Sequence, residues 1–136
     1  MAAEFKVEIV TPEKVRYEGT ASALTLPGAS GEMGVLAHHE PLVALLDPGH
    51  TRLQTSDGAH LFASGEGFVQ IHDNKATVIV EFAETVDEVN RAAAEESLSK
   101  AQAALAEQVT TEEVRRRTMT VVKAAQARLS LRTERR

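Results

Sequence analysis

The sequence predicts an α+β fold, with an N-terminal β-sandwich over residues 1–84 and a C-terminal antiparallel two-helix hairpin over residues 85–136. Three observations carry that expectation. Up to Glu84, apolar residues alternate with polar ones, the period of strands with one buried face. All 8 glycines and all 4 prolines lie before residue 85. Beyond Glu84, Ala, Glu, Gln, Leu and Arg dominate, which is the composition of helices.

Along the first part, Phe5, Val7 and Ile9 alternate with Lys6 and Glu8. Val15 and Tyr17 alternate with Lys14, Arg16 and Glu18, and Ala76, Val78, Val80 and Phe82 alternate with Lys75, Thr77 and Glu81. Turn residues separate these runs: Gly19, Pro27-Gly28, Gly31, Pro48-Gly49, Asp57-Gly58 and Asp73-Asn74. Asp57-Gly58 and Asp73-Asn74 suit two-residue hairpin loops, whose central residues take positive φ. Gly31 and Gly34 are expected to permit backbone conformations that a side chain would strain. Short strands with a turn roughly every 8–12 residues make a sandwich or barrel, and the sandwich is the reading adopted.

Two S/T-x-x-E signatures place the helices. Thr85-Val86-Asp87-Glu88 opens one near residue 87, and Thr110-Thr111-Glu112-Glu113 opens another near 111, with a short connection around Gln108–Thr110. Val86, Val89, Ala93, Leu98, Ala101 and Leu105 form an approximate stripe on the first helix; Val114, Val121, Val122, Ala125 and Leu129 form one on the second. The short connection implies antiparallel packing. Alanine fills much of this face, so the helices should form readily and dock weakly.

Charge divides the chain further. Residues 1–84 carry a net −7, residues 85–113 a net −5 and residues 114–136 a net +7. Either the acidic first helix neutralises the basic second, or the hairpin is an arm that meets an acidic partner. A basic segment also suits nucleic acid, but all 5 aromatics, which would stack on bases, lie before residue 85.

Little in the sequence fits catalysis. There is no Cys, which excludes disulfides and thiolate chemistry. His38, His39, His50, His60 and His72 lack metal-site spacing, and no Gly-x-Ser-x-Gly or Walker loop occurs. The apolar run Leu42-Val43-Ala44-Leu45-Leu46 is far short of the roughly 20 residues that span a membrane. Met1-Ala2-Ala3-Glu4-Phe5-Lys6 has no signal-like start, so a soluble intracellular protein, or a soluble part of something larger, is expected.

One stretch is specific. Gly31-Glu32-Met33-Gly34, then His39 and Pro41-Leu42, then Pro48-Gly49 resemble the epsilon subunit family of F-type ATP synthase, the counterpart of the mitochondrial delta subunit. Val7-Glu8-Ile9-Val10-Thr11-Pro12 resembles that family's first strand, and Gly67-Phe68-Val69-Gln70-Ile71 with Asp73-Asn74 and Val78-Ile79-Val80 its closing hairpin. Phe82-Ala83-Glu84 resembles its exit into the helices. The family usually has Pro-Gly before its histidine; this chain has Ala37-His38, so that histidine is carried onto His39.

The resemblance implies a non-catalytic rotor subunit that couples proton flow to ATP synthesis and inhibits ATP hydrolysis through its C-terminal helices. It would sit peripherally at the cytoplasmic face of a bacterial membrane, or at an organellar inner membrane. The partners implied are the gamma subunit of the central stalk, the c-subunit ring, and the alpha and beta subunits of the catalytic head. Nucleic acid and direct membrane insertion are not implied. Glu32 and His39 match the ring-facing surface. Arg115, Arg116, Arg117, Lys123, Arg128 and Arg132 would meet an acidic segment of the head when the hairpin extends. No cofactor is implied, although some bacterial members bind ATP as a regulatory ligand through an apolar-Asp-x-x-Arg-Ala motif. Here Val86-Asp87-Glu88-Val89-Asn90-Arg91-Ala92 has one extra residue, making Asp87 and Arg91 the candidates. Their i,i+4 spacing equally fits a helix-surface ion pair. The alternative from another class is a small β-sandwich ligand-binding module with a helical oligomerisation hairpin, which would need an apolar groove with convergent polar groups.

Overall fold

The first strand, β1 (Phe5–Val10), shows why the alternating pattern folds as a sheet: Phe5, Val7 and Ile9 are 3%, 1% and 0% exposed, while Lys6 between them is open to solvent. The computed structural model describes residues 3–107 and 111–132, so the Met1-Ala2 start and the Gln108–Thr110 connection lie outside the described residues. The strands that follow are β2 (Val15–Ala21), β3 (Ala23–Gly28), β4 (Gly31–Val35), β5 (Leu42–Leu46) and β6 (Gly49–Thr55). Then come β7 (Gly58–Ser64), β8 (Gly67–His72), β9 (Lys75–Val80) and the short β10 (Ala83–Glu84), and finally helices α1 (Arg91–Ala106) and α2 (Glu112–Ser130).

The sheet runs β10-β7-β6-β3-β5-β8-β9-β1-β2, with β4 also paired to β3. Its ladders are antiparallel except for the parallel β1–β9 pair. β3 joins the two halves: Ala23–Thr25 pair with β6, and Gly28 pairs with Leu46 of β5. The inward side chains of both halves form one core, in which Ile9, Leu24, Leu26, Leu53, Val69 and Val78 are at most 1% exposed. Complete burial of such a side chain stabilises the fold by roughly 1.5–3 kcal/mol.

The expected β-sandwich followed by two helices is therefore the observed architecture. Several local expectations are corrected. The ladder shifts register between Ile9 and Val10, a bulge that pairs Val10 with Val15. Val15 is consequently 51% exposed, and the Arg16 side chain, expected outside, is only 13% exposed. Asp73-Asn74 is the two-residue loop anticipated, with φ of 50° and 59° between paired His72 and Lys75. The other loop is Ser56-Asp57, one residue earlier than expected, because Gly58 already pairs with Thr55. Gly31 has φ of 130°, as expected for a residue without Cβ. Gly34 has neither a positive φ nor a neighbour within 4 Å of a Cβ, so the strain expected there is absent.

The helices also start later than their signatures suggest. Glu88 does reach back to Thr85, accepting from its N–H at 2.9 Å and its hydroxyl at 3.1 Å. The segment 86–88 nevertheless forms a turn, because Glu88 is also taken by Arg16. α1 begins at Arg91, with Asn90 as its cap accepting from the Ala93 N–H at 3.0 Å. α2 is capped by Thr111 rather than Thr110, which lies outside the described residues. Ala94 is buried on α1 where Ala93 was expected, and Val114 and Val121 of the predicted α2 stripe are 51% and 46% exposed. The helices pack on each other, and α2 lies against β6 and β7.

Candidate partner-binding surfaces

The side chains singled out from the sequence fall into separate places. Glu32 stands exposed on β4, paired in register with Pro27. It shares a cavity of about 540 Å³ with Asp47, His50 and Lys123. His39 lies beyond the other end of that strand, its Nδ1 2.7 Å from the Glu40 carbonyl oxygen. Its neighbour His38 takes a φ of 65° and donates its N–H to Asn74 Oδ1 at 2.7 Å. The structure thus sets Glu32 and His39 toward opposite ends of β4 and does not bring them together.

A surface that sequence reasoning missed lies on the outer face of the sheet. Leu45 pairs across the ladder with Phe68, and Phe68 with Ile79. These three are 69%, 37% and 37% exposed, and Val43 on the same strand is 67% exposed. An apolar row three strands wide on a solvent-facing side is an interaction surface in physical terms, since water gains when it is covered. The run Leu42–Leu46 carried the signal: it breaks the alternation that a one-sided strand would show.

The basic residues of α2 are already divided by their partners. Arg117 pairs with Glu113 one turn earlier at 2.6 Å, and Arg132 caps the helix through the carbonyls of Leu129 and Leu131. Lys123 reaches Asp47 at 3.0 Å. Arg128 makes a two-pronged contact with Glu84, at 2.8 and 3.2 Å, and its guanidinium carbon sits 3.6 Å from the centre of the Phe82 ring. Among the described residues the side chains of Arg115 and Arg116 make no hydrogen bond or ion pair. They line a cleft of about 740 Å³ whose opposite wall includes Leu45, Glu66, Phe68 and Glu81. No ion pair joins α1 to α2 among the described residues; Lys123 and Arg128 answer carboxylates of the sandwich, and Arg117 one of α2 itself.

Asp87 and Arg91 do not form the helical i,i+4 pair their spacing allowed. Asp87 belongs to the turn before α1, and Arg91, the first residue of that helix, donates through Nη2 to the Leu129 carbonyl at 3.0 Å. Next to this turn, Arg16 fastens the linker: its Nε donates to the Ala83 carbonyl at 2.8 Å and its Nη2 pairs with Glu88. The Glu88 carboxyl is held down to about 2, first by the Thr85 backbone N–H and then by the Arg16 guanidinium.

An apolar outer face, an exposed turn region and a docked cationic helix define a protein built for contact with other chains. Residues 4–86 match the family model described as the ATP synthase delta/epsilon chain β-sandwich domain. The ATP synthase epsilon chain of Streptomyces avermitilis is 36% identical over 104 residues, covering 76% of this chain and 84% of the relative. That of Corynebacterium diphtheriae is 41% identical over 98 residues, covering 71% of this chain and 80% of its own. A chain in the mitochondrial ATP synthase of Euglena gracilis superposes with a TM-score of 0.76 over 93% of this chain and 80% of its own, at 22% identity, which shows a shared fold. The chain belongs to the ATP synthase delta/epsilon family, a family of non-catalytic chains. Among the described residues no helix is long and apolar enough to cross a membrane.

Proposed function

We propose that the chain is the epsilon-type rotor subunit of a proton-translocating F-type ATP synthase. In this reading it couples proton flow to ATP synthesis and restrains ATP hydrolysis through its C-terminal helices. The observation that carries it is the exposed row Leu45–Phe68–Ile79, the surface by which the sandwich would hold the gamma subunit of the central stalk. The Glu32 turn and the His39 loop would face the c-subunit ring, contacting it at separate points because Glu32 lies near the start of β4 and His39 beyond its end. Arg115 and Arg116, already exposed and without carboxylate partners among the described residues, are the cations readiest to meet an acidic segment of the alpha or beta subunits. The chain would be peripheral, at the cytoplasmic face of the membrane, and would need no cofactor. Regulatory binding of ATP at Asp87 and Arg91 has little geometric support, since Arg91 is engaged with the Leu129 carbonyl.

The test is assembly. Leu45→Glu puts a charge at a position that is 69% exposed and leaves the core untouched. It should weaken co-sedimentation with the gamma subunit at least tenfold while the sheet keeps its amide protection. Undiminished binding would remove the outer face from the proposal.

A further inference from the structure

The apolar row Leu45–Phe68–Ile79 does not end at β9. Ile79 pairs in register with Val10 of β1, and Val10 with Val15 of β2 at the bulge, so the row continues over two further strands. Val10 is half-buried and Val15 is 51% exposed. Carboxylates border the row on both sides. On one side, Glu66 and Glu81 stand exposed two residues from Phe68 and Ile79, and the Glu81 N–H donates to the Glu66 carbonyl at 3.0 Å. On the other side, Glu8 and Glu18 oppose each other directly across the β1–β2 ladder. Like charges so placed weaken a ladder unless something else answers them. Lys75 answers Glu8 at 3.4 Å; among the described residues Glu18, Glu66 and Glu81 form no ion pair. At its β5 end the row runs into the cleft where Arg115 and Arg116 of α2 stand. The face is thus a long apolar stripe with acid along both sides and cations at one end.

We propose that this face selects a basic amphipathic α-helix laid across the strands. Its apolar stripe would lie on the row, its Lys or Arg flanks against the two carboxylate pairs, and its C-terminal end beneath Arg115 and Arg116. Neighbouring strands lie about 4.8 Å apart, so the five strands of the row span about 19 Å, the length of roughly 13 helical residues. A helix presents one apolar stripe between two polar flanks, which is the complement of this face. A strand crossing the row would turn alternate side chains away from the sheet and would have no flank for either carboxylate pair. The direction follows from the helix dipole, because the C-terminal end carries partial negative charge that guanidinium groups stabilise. An acidic helix of equal hydrophobicity would be rejected, since it would cover the carboxylates without pairing them. The inference rests on the proposed reading of the outer face as the contact surface for the gamma subunit, and adds the chemistry and direction of the segment that the face selects.

The experiment uses the full, isolated chain and three labelled synthetic helical peptides of about 14 residues. The first has a leucine stripe with lysine flanks, the second the same stripe with glutamate flanks, and the third lysine flanks around a glutamine stripe. Fluorescence anisotropy should show the first binding at least tenfold more tightly than either of the others. Glu66→Lys combined with Glu81→Lys should weaken that binding at least tenfold and narrow the preference over the glutamate-flanked peptide. Glu95→Lys with Glu96→Lys, an equal change of net charge at exposed positions of α1, should leave the affinity unchanged. A nitroxide at the C-terminal end of the first peptide should broaden the amide signals of β5, and one at its N-terminal end those of β2. Amide exchange in β8 and β9 verifies that the double variant keeps its sheet, and Glu66→Gln with Glu81→Gln replaces it if it does not. Equal binding of the lysine- and glutamate-flanked peptides, or of the leucine and glutamine stripes, overturns the proposal. Broadening in the reverse order overturns the direction. If the first peptide fails to bind while Leu45→Glu still weakens co-sedimentation with the gamma subunit, the helix is overturned and the outer face stands as the contact surface.

Discussion

The sandwich and the hairpin are held by different forces. The sheet encloses a core in which Val7, Ile9, Leu24, Leu26, Leu53, Val69 and Val78 are at most 1% exposed, and its ladders satisfy the backbone. The hairpin sets Ala127 and Leu131 against Ala63 of that sheet, with Leu61, Phe82, Val86 and Val89 half-buried around them, and adds two ion pairs. Apolar burial is not screened by salt, whereas charge contacts at a surface are. One chain thus joins a salt-resistant body to a salt-sensitive arm. Local stability should differ between them in the same way.

The largest effect should come from the core. Ile9→Ala removes a side chain of the core cluster that is 0% exposed, which costs about 2–5 kcal/mol. Denaturant unfolding should show this loss in the sheet signal. Leu131→Ala, at 1% exposed in the contact cluster, should instead release α2 and leave the amides of β8 and β9 protected. Equal loss of sheet protection in both variants would erase the contrast between body and arm.

Next in size is removal of the arm. We propose that the sandwich folds alone, although the division expected at residue 84 cuts through the Arg16 fastening. A chain ending after Glu88 keeps that fastening, and the matched family domain ends nearby at residue 86. The 1–88 fragment should retain slow amide exchange in β1, β8 and β9, and the 1–84 fragment should differ mainly around β2 and β10. A sheet that exchanges fully in both fragments would show that the body needs the arm.

How much of this was legible follows from which force acts where. Phe5, Val7 and Ile9, or Ala76, Val78 and Val80, declare a strand because alternation is written in the side chains themselves. Asp73-Asn74 declares its loop for the same local reason. The start of α1 was misplaced because Glu88 answers Arg16, 72 positions away, and no local signature contains that partner. Val15 was misplaced because a bulge, invisible in composition, moves the register. The outer apolar row was missed since Leu45, Phe68 and Ile79 become neighbours only through strand pairing. The cationic helix was visible, but its docking partners Asp47 and Glu84 were not, because nothing in the charge count says which carboxylate a lysine will meet.

A smaller effect separates two glycines of one strand. Gly31→Ala forces a side chain into a φ of 130°, at a cost of roughly 1 kcal/mol or more. Gly34→Ala meets open space at an ordinary φ and should leave the unfolding midpoint unchanged. A thermal melt of both variants distinguishes them. Loss at Gly34 alone would contradict the geometry of β4.

The smallest effect concerns the fastening between body and arm. The Thr85 N–H and the Arg16 guanidinium hold the folded Glu88 carboxyl down to about 2, below its ordinary range, so its ionised form is the one the fold favours. Its stabilisation is therefore fully present above pH 4.5 and is lost as pH falls through about 2. The side chain is 41% exposed, so solvent screening limits that contribution to about 1 kcal/mol or less. The Thr85 N–H is the leading cause and Arg16 the second, and this order makes a specific demand on mutants. Arg16→Ala should raise the Glu88 midpoint only partway toward its ordinary range, because replacing Arg16 leaves the Thr85 turn itself in place. Carboxyl carbon shifts followed by NMR from pH 6 downward would read both midpoints directly. A parent midpoint in the ordinary glutamate range would mean that the turn does not hold the carboxylate in solution. A full return to that range in Arg16→Ala would instead make the guanidinium the main cause, and the linker would then be fastened to the sandwich by a single salt-sensitive contact.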